Sequence, residues 1–257
     1  MPTSSSIQGI THYLTAIQDL QRRVIETQMT VLDKVASHML ETVRSDKRIF
    51  IFGTGHSHMM AEEAFYRAGG LAAAVPIFMT DLMLHGNPDL GSRLERTPGI
   101  AAILLDLYQC QAGEMLFVYS NSGVNHLPVE IAMLARQRGL TVVGVCSRAY
   151  AQVAPLSALG LRLDEAADYV IDNLGMPGDG LVPLDGSDWR VGPSSTILGA
   201  FIWNALITEV LTRLQAAGEE LPVYASFNMR GAAEHNKGLL HKWGSLNPHI
   251  QGWLRRG

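Results

Sequence analysis

Met115-Leu116-Phe117-Val118-Tyr119-Ser120-Asn121-Ser122-Gly123-Val124-Asn125-His126-Leu127-Pro128-Val129-Glu130 decides the fold. Its first five residues carry no charge, the pattern of a strand buried on both faces. From His126 to Arg138 apolar residues return at helical spacing. Pro128 falls in the first turn, where its missing N–H costs no hydrogen bond. Between strand and helix stand Ser120, Asn121, Ser122, Gly123 and Asn125, again without a charge. Such a loop offers hydroxyl donors and backbone N–H groups, those of Asn121 and Gly123 included, at a helix N-terminus, where the macrodipole favours an anion. A phosphate suits it.

A second stretch repeats the design. Arg48-Ile49-Phe50-Ile51-Phe52 reads as a strand, followed by Gly53-Thr54-Gly55-His56-Ser57-His58 and a helix predicted over 57–69. Gly53 and Gly55 permit a tight turn and close backbone approach, and Ser57 sets a hydroxyl at the helix start. No Gly-Lys-Ser/Thr follows, so neither loop is a Walker motif. The third glycine of a dinucleotide fingerprint would fall at His58. No Gly-x-Ser-x-Gly elbow is present, which argues against a nucleophilic serine. Serines and asparagines also cap helices and turns without any ligand. Two such loops in one chain tip the reading toward a ligand site at the C-terminal ends of parallel strands.

Working outward, strands are predicted at 48–52, 74–78, 115–119, 141–146 and 169–171, and helices at 57–69, 98–110 and 126–138. That alternation makes an α/β fold, a doubly wound parallel sheet flanked by helices. Ile10, Leu14, Ile17, Val24, Val31, Val35 and Leu40 predict one long amphipathic helix, or two, over 7–44. Residues 1–45 thus form an N-terminal helical extension, packing on the domain or on a second subunit, ahead of a domain at 46–257 with a helical tail. A helix at 194–217 is apolar almost all round, from Ile197 through Trp203 to Leu211. It must be buried on several sides, and contact with a partner subunit is expected. Segments 78–97 and 174–192 are long connections, suited either to lids or to solvated insertions.

Composition narrows the partners. Charged residues make up 17% and hydrophobic residues 47% of the chain, against about 25% charged in ordinary soluble domains. A large core and an apolar surface covered by another chain are implied, hence a homodimer or higher homo-oligomer. A net charge of -4 argues against nucleic acid, which needs clustered Lys and Arg. Cys110 and Cys146 lie in apolar segments without CxxC spacing, as reduced buried thiols do. Met1 to Ser6 lack the basic and apolar regions of a signal peptide. No apolar run is read as reaching the ~20 residues of a membrane span. A cytoplasmic protein without membrane contact is expected.

Gly53-Thr54-Gly55-His56-Ser57, the Ser120–Glu130 stretch, and Gly139-Leu140-Thr141-Val142-Val143-Gly144-Val145-Cys146-Ser147 together resemble the sugar isomerase (SIS) domain, whose fold is flavodoxin-like. That family holds phosphosugar isomerases, the isomerase half of glucosamine-6-phosphate synthase, etherases and sugar-phosphate-sensing regulators. The tail Ser226-Phe227-Asn228-Met229-Arg230-Gly231-Ala232-Ala233-Glu234-His235-Asn236 resembles stand-alone, uncharacterised phosphosugar-isomerase-like members. The resemblance covers roughly residues 30 to 240 and specifies the fold more than the reaction. It implies a sugar-phosphate ligand held by Ser120, Asn121, Ser122 and Asn125, with Gly53, Gly55, His56, Ser57 and Gly123 in the same site. It also implies dimers, and a tail histidine brought to the site, sometimes from a neighbouring subunit.

Isomerisation of a sugar phosphate needs a base beside the carbonyl and groups that stabilise an enediol, without any cofactor. Glu62 and Glu63 lie on the helix leaving the first loop, about 100° apart, so one of them can face the site. Glu63 also stands four residues before Arg67, a favourable surface pair, and Glu62 shares a face with His58. The resemblance favours Glu63 as base and His235 as the ring-opening acid. The phosphoheptose isomerase pattern puts a glutamate where this chain has Arg67, so heptose isomerisation does not carry over. His56 and His58 form an HxH pair without further ligands at metal spacing, so no metal is expected. Two rival functions share the site: a sensor that binds a sugar phosphate without turnover, and a lyase or etherase on an N-acetylated amino-sugar phosphate.

Overall fold

The computed structural model describes residues 7–254, and side chains as far as residue 251; the readings on residues 1–6 lie outside them. A single helix α1 (Gln8–Arg44) leads the chain. Five strands follow, β1 (Ile49–Gly53), β2 (Ala74–Pro76), β3 (Met115–Tyr119), β4 (Thr141–Cys146) and β5 (Tyr169–Asp172). They form one parallel sheet in the order β2-β1-β3-β4-β5. Every residue of β1, β2 and β3 is buried, as both-face coverage of a parallel sheet demands.

One face carries α1, α2 (Met59–Ala64) and α8 (Ser195–Ala216); its core runs from Val24 and Met39 through Ile51 and Phe117 to Trp203. The other face carries α4 (Ile100–Leu107), α5 (His126–Gln137) and α7 (Leu163–Ala166), packed on Phe50, Phe52, Leu116 and Val118. Between them in the chain lie α3 (Pro88–Leu94) and α6 (Arg148–Val153), and α9 (Ala232–Lys242) and α10 (Pro248–Leu254) close it. Long stretches of α1 pack against α8 and β5.

Several elements depart from the sequence reading. The helix predicted over 57–69 is a 3-10 turn at Gly55–His58 followed by α2, which stops at Ala64. Phe65 turns extended and Tyr66 takes a φ of 40°, so that Phe65 packs edge-on to Phe78 and Tyr66 edge-on to Tyr224. The predicted helix 98–110 shortens to α4 because Gly99 and Gln109 sit at φ 88° and 49°. Segment 78–97 contains α3, capped by the Asn87 side chain, which accepts from Asp89 and Leu90 N–H. Segment 174–192 contains an antiparallel hairpin, β6 (Gly180–Pro183) with β7 (Arg190–Pro193). By length and composition α8 is apolar enough to cross a membrane, contrary to the expectation that no run reaches that length. Here Leu198, Ile202, Trp203, Leu206 and Val210 are buried in the core instead.

Candidate functional site

β1 and β3 are neighbours, yet the chain leaves β1 toward β2 on one side and returns to β3 on the other. The crevice outside such a reversal is where open α/β sheets take ligands. Gly53 ends β1 opposite Tyr119 at the end of β3, so both serine loops open side by side. A Cβ on Gly53 would stand 2.2 Å from the Ser57 carbonyl oxygen. Only glycine lets that loop fold so tightly onto the strand. Gly55 and Gly123 take φ of 56° and 63°, the left-handed region that glycine enters freely.

The cleft between them brings together His56, Ser57, Ser120 and Asn121 from the two loops. Of its other walls the sequence offered Ser195 and Thr196, which with Ser194 open the helix predicted at 194–217 and suit either capping or completing a sugar pocket; the rest it did not include. Tyr119, Val145 and Asn173 come from the ends of β3, β4 and β5, and Met60, Ser195, Thr196 and Gly199 from α2 and α8. Asn173 donates from Nδ2 to Asn121 Oδ1 at 2.9 Å and accepts the Gly175 N–H at 2.8 Å. A Cβ on Gly199 would lie 2.6 Å from Met60 Sδ, so that glycine lets α8 approach the loop. Tyr119 is buried, its hydroxyl has no hydrogen-bond partner among the described residues, and burial pushes its phenol well above the usual range.

Gly123 and Thr54 serve the scaffold. Gly123 N–H, expected to face an anion, donates to Ser120 Oγ at 3.3 Å. The Gly123 carbonyl accepts from Leu163 N at 2.8 Å. Ser122 and Asn125 are half-buried beside the cleft, outside its lining. The Thr54 hydroxyl donates to Glu95 Oε1, while the Glu95 carbonyl accepts the Leu127 N–H at 2.9 Å. Segment 95–99 therefore ties the two loops together.

The expected acids Glu62 and Glu63 and the tail histidine His235 are not among the residues that line the cleft, and each has a partner of its own. Glu63 Oε1 pairs with Arg67 and accepts from Asn204 Nδ2 at 2.9 Å. Its position on α2 turns it along α8, where two donors hold it. Glu62 Oε1 lies 3.6 Å from His58 Nδ1 and is half exposed. His58 itself is buried and stacked on Phe78; burial holds its imidazole below the usual range, partly opposed by Glu62. His235 Nε2 donates to the Val223 carbonyl at 2.8 Å. His56 is thus the histidine of the lining.

Cys110 and Cys146 are buried thiols, each pushed up to about 12, first by burial, and so poor nucleophiles. Among the described residues no three His, Cys, Asp or Glu side chains gather closely enough to hold a metal. The cleft offers neutral donors, one imidazole and no carboxylate. Such donors suit an anion and hydroxyl groups.

Comparison with known proteins agrees with this geometry. The SIS domain model matches residues 12–147. A UPF0309 protein of Brucella canis is 41% identical over 85% of this chain and 89% of its own length. A UPF0309 protein of Shouchella clausii is 37% identical over 91% of this chain and 96% of its own. In fold, the chain is similar to a phosphoheptose isomerase from Francisella tularensis (TM-score 0.51, 12% identity, covering 80% of this chain and 97% of that one). Sheet order, paired loops and sequence agree: the chain belongs to the SIS domain family.

Proposed function

We propose that the protein binds a phosphorylated sugar in this cleft and interconverts its aldose and ketose forms through an enediol. The observation that carries the reading is the convergence of Ser57, Ser120 and Asn121 at the C-terminal ends of adjacent parallel strands. Their hydroxyl and amide donors suit a phosphate without needing a lysine or arginine. Isomerisation moves one proton from the carbon beside the carbonyl to its neighbour. His56 is the imidazole of the lining, a side chain that can both take and return a proton.

A second reading is binding without turnover. It is favoured by the engagement of Glu63 with Arg67 and Asn204, and of Glu62 with His58, which leaves no carboxylate in the lining. One experiment separates the two. Hexose, pentose, heptose and N-acetylated amino-sugar phosphates are screened by thermal shift, since a ligand of the native state raises the melting temperature. Hits are then incubated in D₂O and followed by proton NMR. Exchange at C2 or a new isomer supports the enzyme; binding with neither supports the sensor. If no sugar phosphate shifts the melting curve, both readings fail.

We also propose a homodimer. Ile10, Leu14 and Met29 of α1 are exposed, and Ile25, Met29, Leu32, Ala205 and Leu206 line an apolar groove between α1 and α8. Light scattering that finds only monomer at micromolar concentration would overturn this.

A further inference from the structure

Asp179 lies in the connection between β5 and β6 at a φ of 68°, and its carboxylate sits over the first turn of α8. Oδ1 accepts from Ser194 N at 3.0 Å, Ser194 Oγ at 2.9 Å and Ser195 N at 2.8 Å. Oδ2 accepts from Ser195 Oγ at 2.7 Å. A carboxylate has no proton to give, so the single hydroxyl hydrogen of Ser195 must point at Asp179. What Ser195 retains for the cleft it lines is lone pairs.

A second chain of hydrogen bonds sets the opposite polarity at Asn121. The Gly175 N–H fixes Asn173 Oδ1 as an acceptor, which turns Asn173 Nδ2 toward Asn121 Oδ1. The Asn121 oxygen is therefore engaged, and its amide N–H₂ is the half left to donate. Gly175 leaves room for the pair, since a Cβ there would stand 3.0 Å from Asn173 Oδ1 and press on it. One wall of the cleft donates while another accepts.

We infer that Asp179 is a positioning residue that holds Ser195 as a hydrogen-bond acceptor for a hydroxyl or N–H of the ligand, leaving the phosphate to Ser57, Ser120 and Asn121. The inference rests on the sugar-phosphate reading and adds a direction to it. With the Ser194 and Ser195 N–H groups already taken and a carboxylate in place, the start of α8 repels a second anion. A sugar hydroxyl, by contrast, can donate there.

The test compares affinities for inorganic phosphate and for the tightest-binding sugar phosphate of the panel, by calorimetry on the full chain. Ser195→Ala removes the acceptor and keeps the other three bonds to Asp179. Asp179→Asn is close to isosteric: its oxygen can keep the Oδ1 bonds, while its amide nitrogen donates to Ser195 Oγ and frees that hydroxyl to donate. The ratio of the two affinities cancels any general effect of the lost charge on anions. Each variant should lower the preference for sugar phosphate over phosphate about tenfold, the effect of one hydrogen bond. The double variant should lose no more than Ser195→Ala alone. An unchanged ratio in Ser195→Ala overturns the inference. So does a ratio that falls in Ser195→Ala but holds in Asp179→Asn, or a double variant whose losses multiply. Should Asp179→Asn not fold, Ser195→Ala alone still decides whether the acceptor meets the sugar. A wild type that binds neither probe overturns the underlying reading instead, before any variant is compared.

Discussion

The two ends of the sheet treat polar groups in opposite ways. At the N-terminal end, Arg48 Nε lies 2.5 Å from Glu114 Oε1, both side chains largely buried. The guanidinium also donates to the Tyr108 and Gln109 carbonyls, and Glu114 Oε2 accepts the Gln111 N–H. Protein partners surround both charges. At the C-terminal end the Ser57 hydroxyl has no hydrogen-bond partner among the described residues, and the Ser120 hydroxyl accepts from Gly123 without donating. The saturated end holds the fold, while the end with donors to spare is where we place the ligand. Burial makes the difference: an unpaired group is costly in the interior and cheap in a cleft open to water.

Breaking the saturated end should cost most. Arg48→Met strands the buried Glu114 carboxylate, and we expect a loss of about 3–5 kcal/mol in stability with phosphate affinity unchanged. Urea unfolding checks this; a loss under ~1 kcal/mol would erase the contrast between the ends. Gly53→Ala sharpens it, because this residue is structural although it stands at the ligand end. The added Cβ collides with the Ser57 carbonyl, so stability should drop by about 1–3 kcal/mol and phosphosugar affinity should fall with it. An unfolding midpoint equal to wild type would contradict the close approach.

Ser120→Ala should weaken phosphosugar binding by roughly 1–3 kcal/mol and leave the unfolding midpoint nearly unmoved. Calorimetry showing the wild-type affinity would remove Ser120 from the phosphate site. The smallest effect is a pH dependence. Burial depresses the His58 imidazole in the folded chain, so the unfolded chain, near 6.5, takes up the proton first. The stability from neutral His58 is present above about pH 6.5 and is lost as pH falls toward the folded value. His58→Phe, which keeps a ring on Phe78, should lose less stability than wild type between pH 7.5 and 5.5. Equal losses would show that other groups set the acid sensitivity.

Strands β1, β3 and β4 were legible because a strand covered on both faces must be an uncharged apolar run, and Ile49–Phe52, Met115–Tyr119 and Val142–Cys146 are such runs. That Ser57, Ser120 and Asn121 share a cleft was legible for a related reason, since hydroxyl and amide residues directly after neighbouring parallel strands gather at their C-terminal ends. The end of α2 was not, because Phe65 and Tyr66 suit a helix locally and leave it only for aromatic partners distant in sequence. α3 had a local signal in Asn87-Pro88-Asp89, a cap followed by a first-turn proline. Asn173, Gly199 and Asp179 had none. They reach the cleft, or its wall, through tertiary packing from β5, α8 and the loop before β6, and no local spacing encodes that convergence. The helix periodicity that put Glu62 and Glu63 on different faces was sound, but their partners, His58 on one side and Arg67 with Asn204 on the other, decide where they rest.

The most direct measurement is a crystal structure of the complex with the tightest-binding sugar phosphate of the panel. The phosphate should lie within hydrogen-bond reach of the Ser57 and Ser120 hydroxyls and the Asn121 amide, with a sugar hydroxyl on Ser195. A phosphate seated at the start of α8, or a ligand bound outside this cleft, would contradict the assignment.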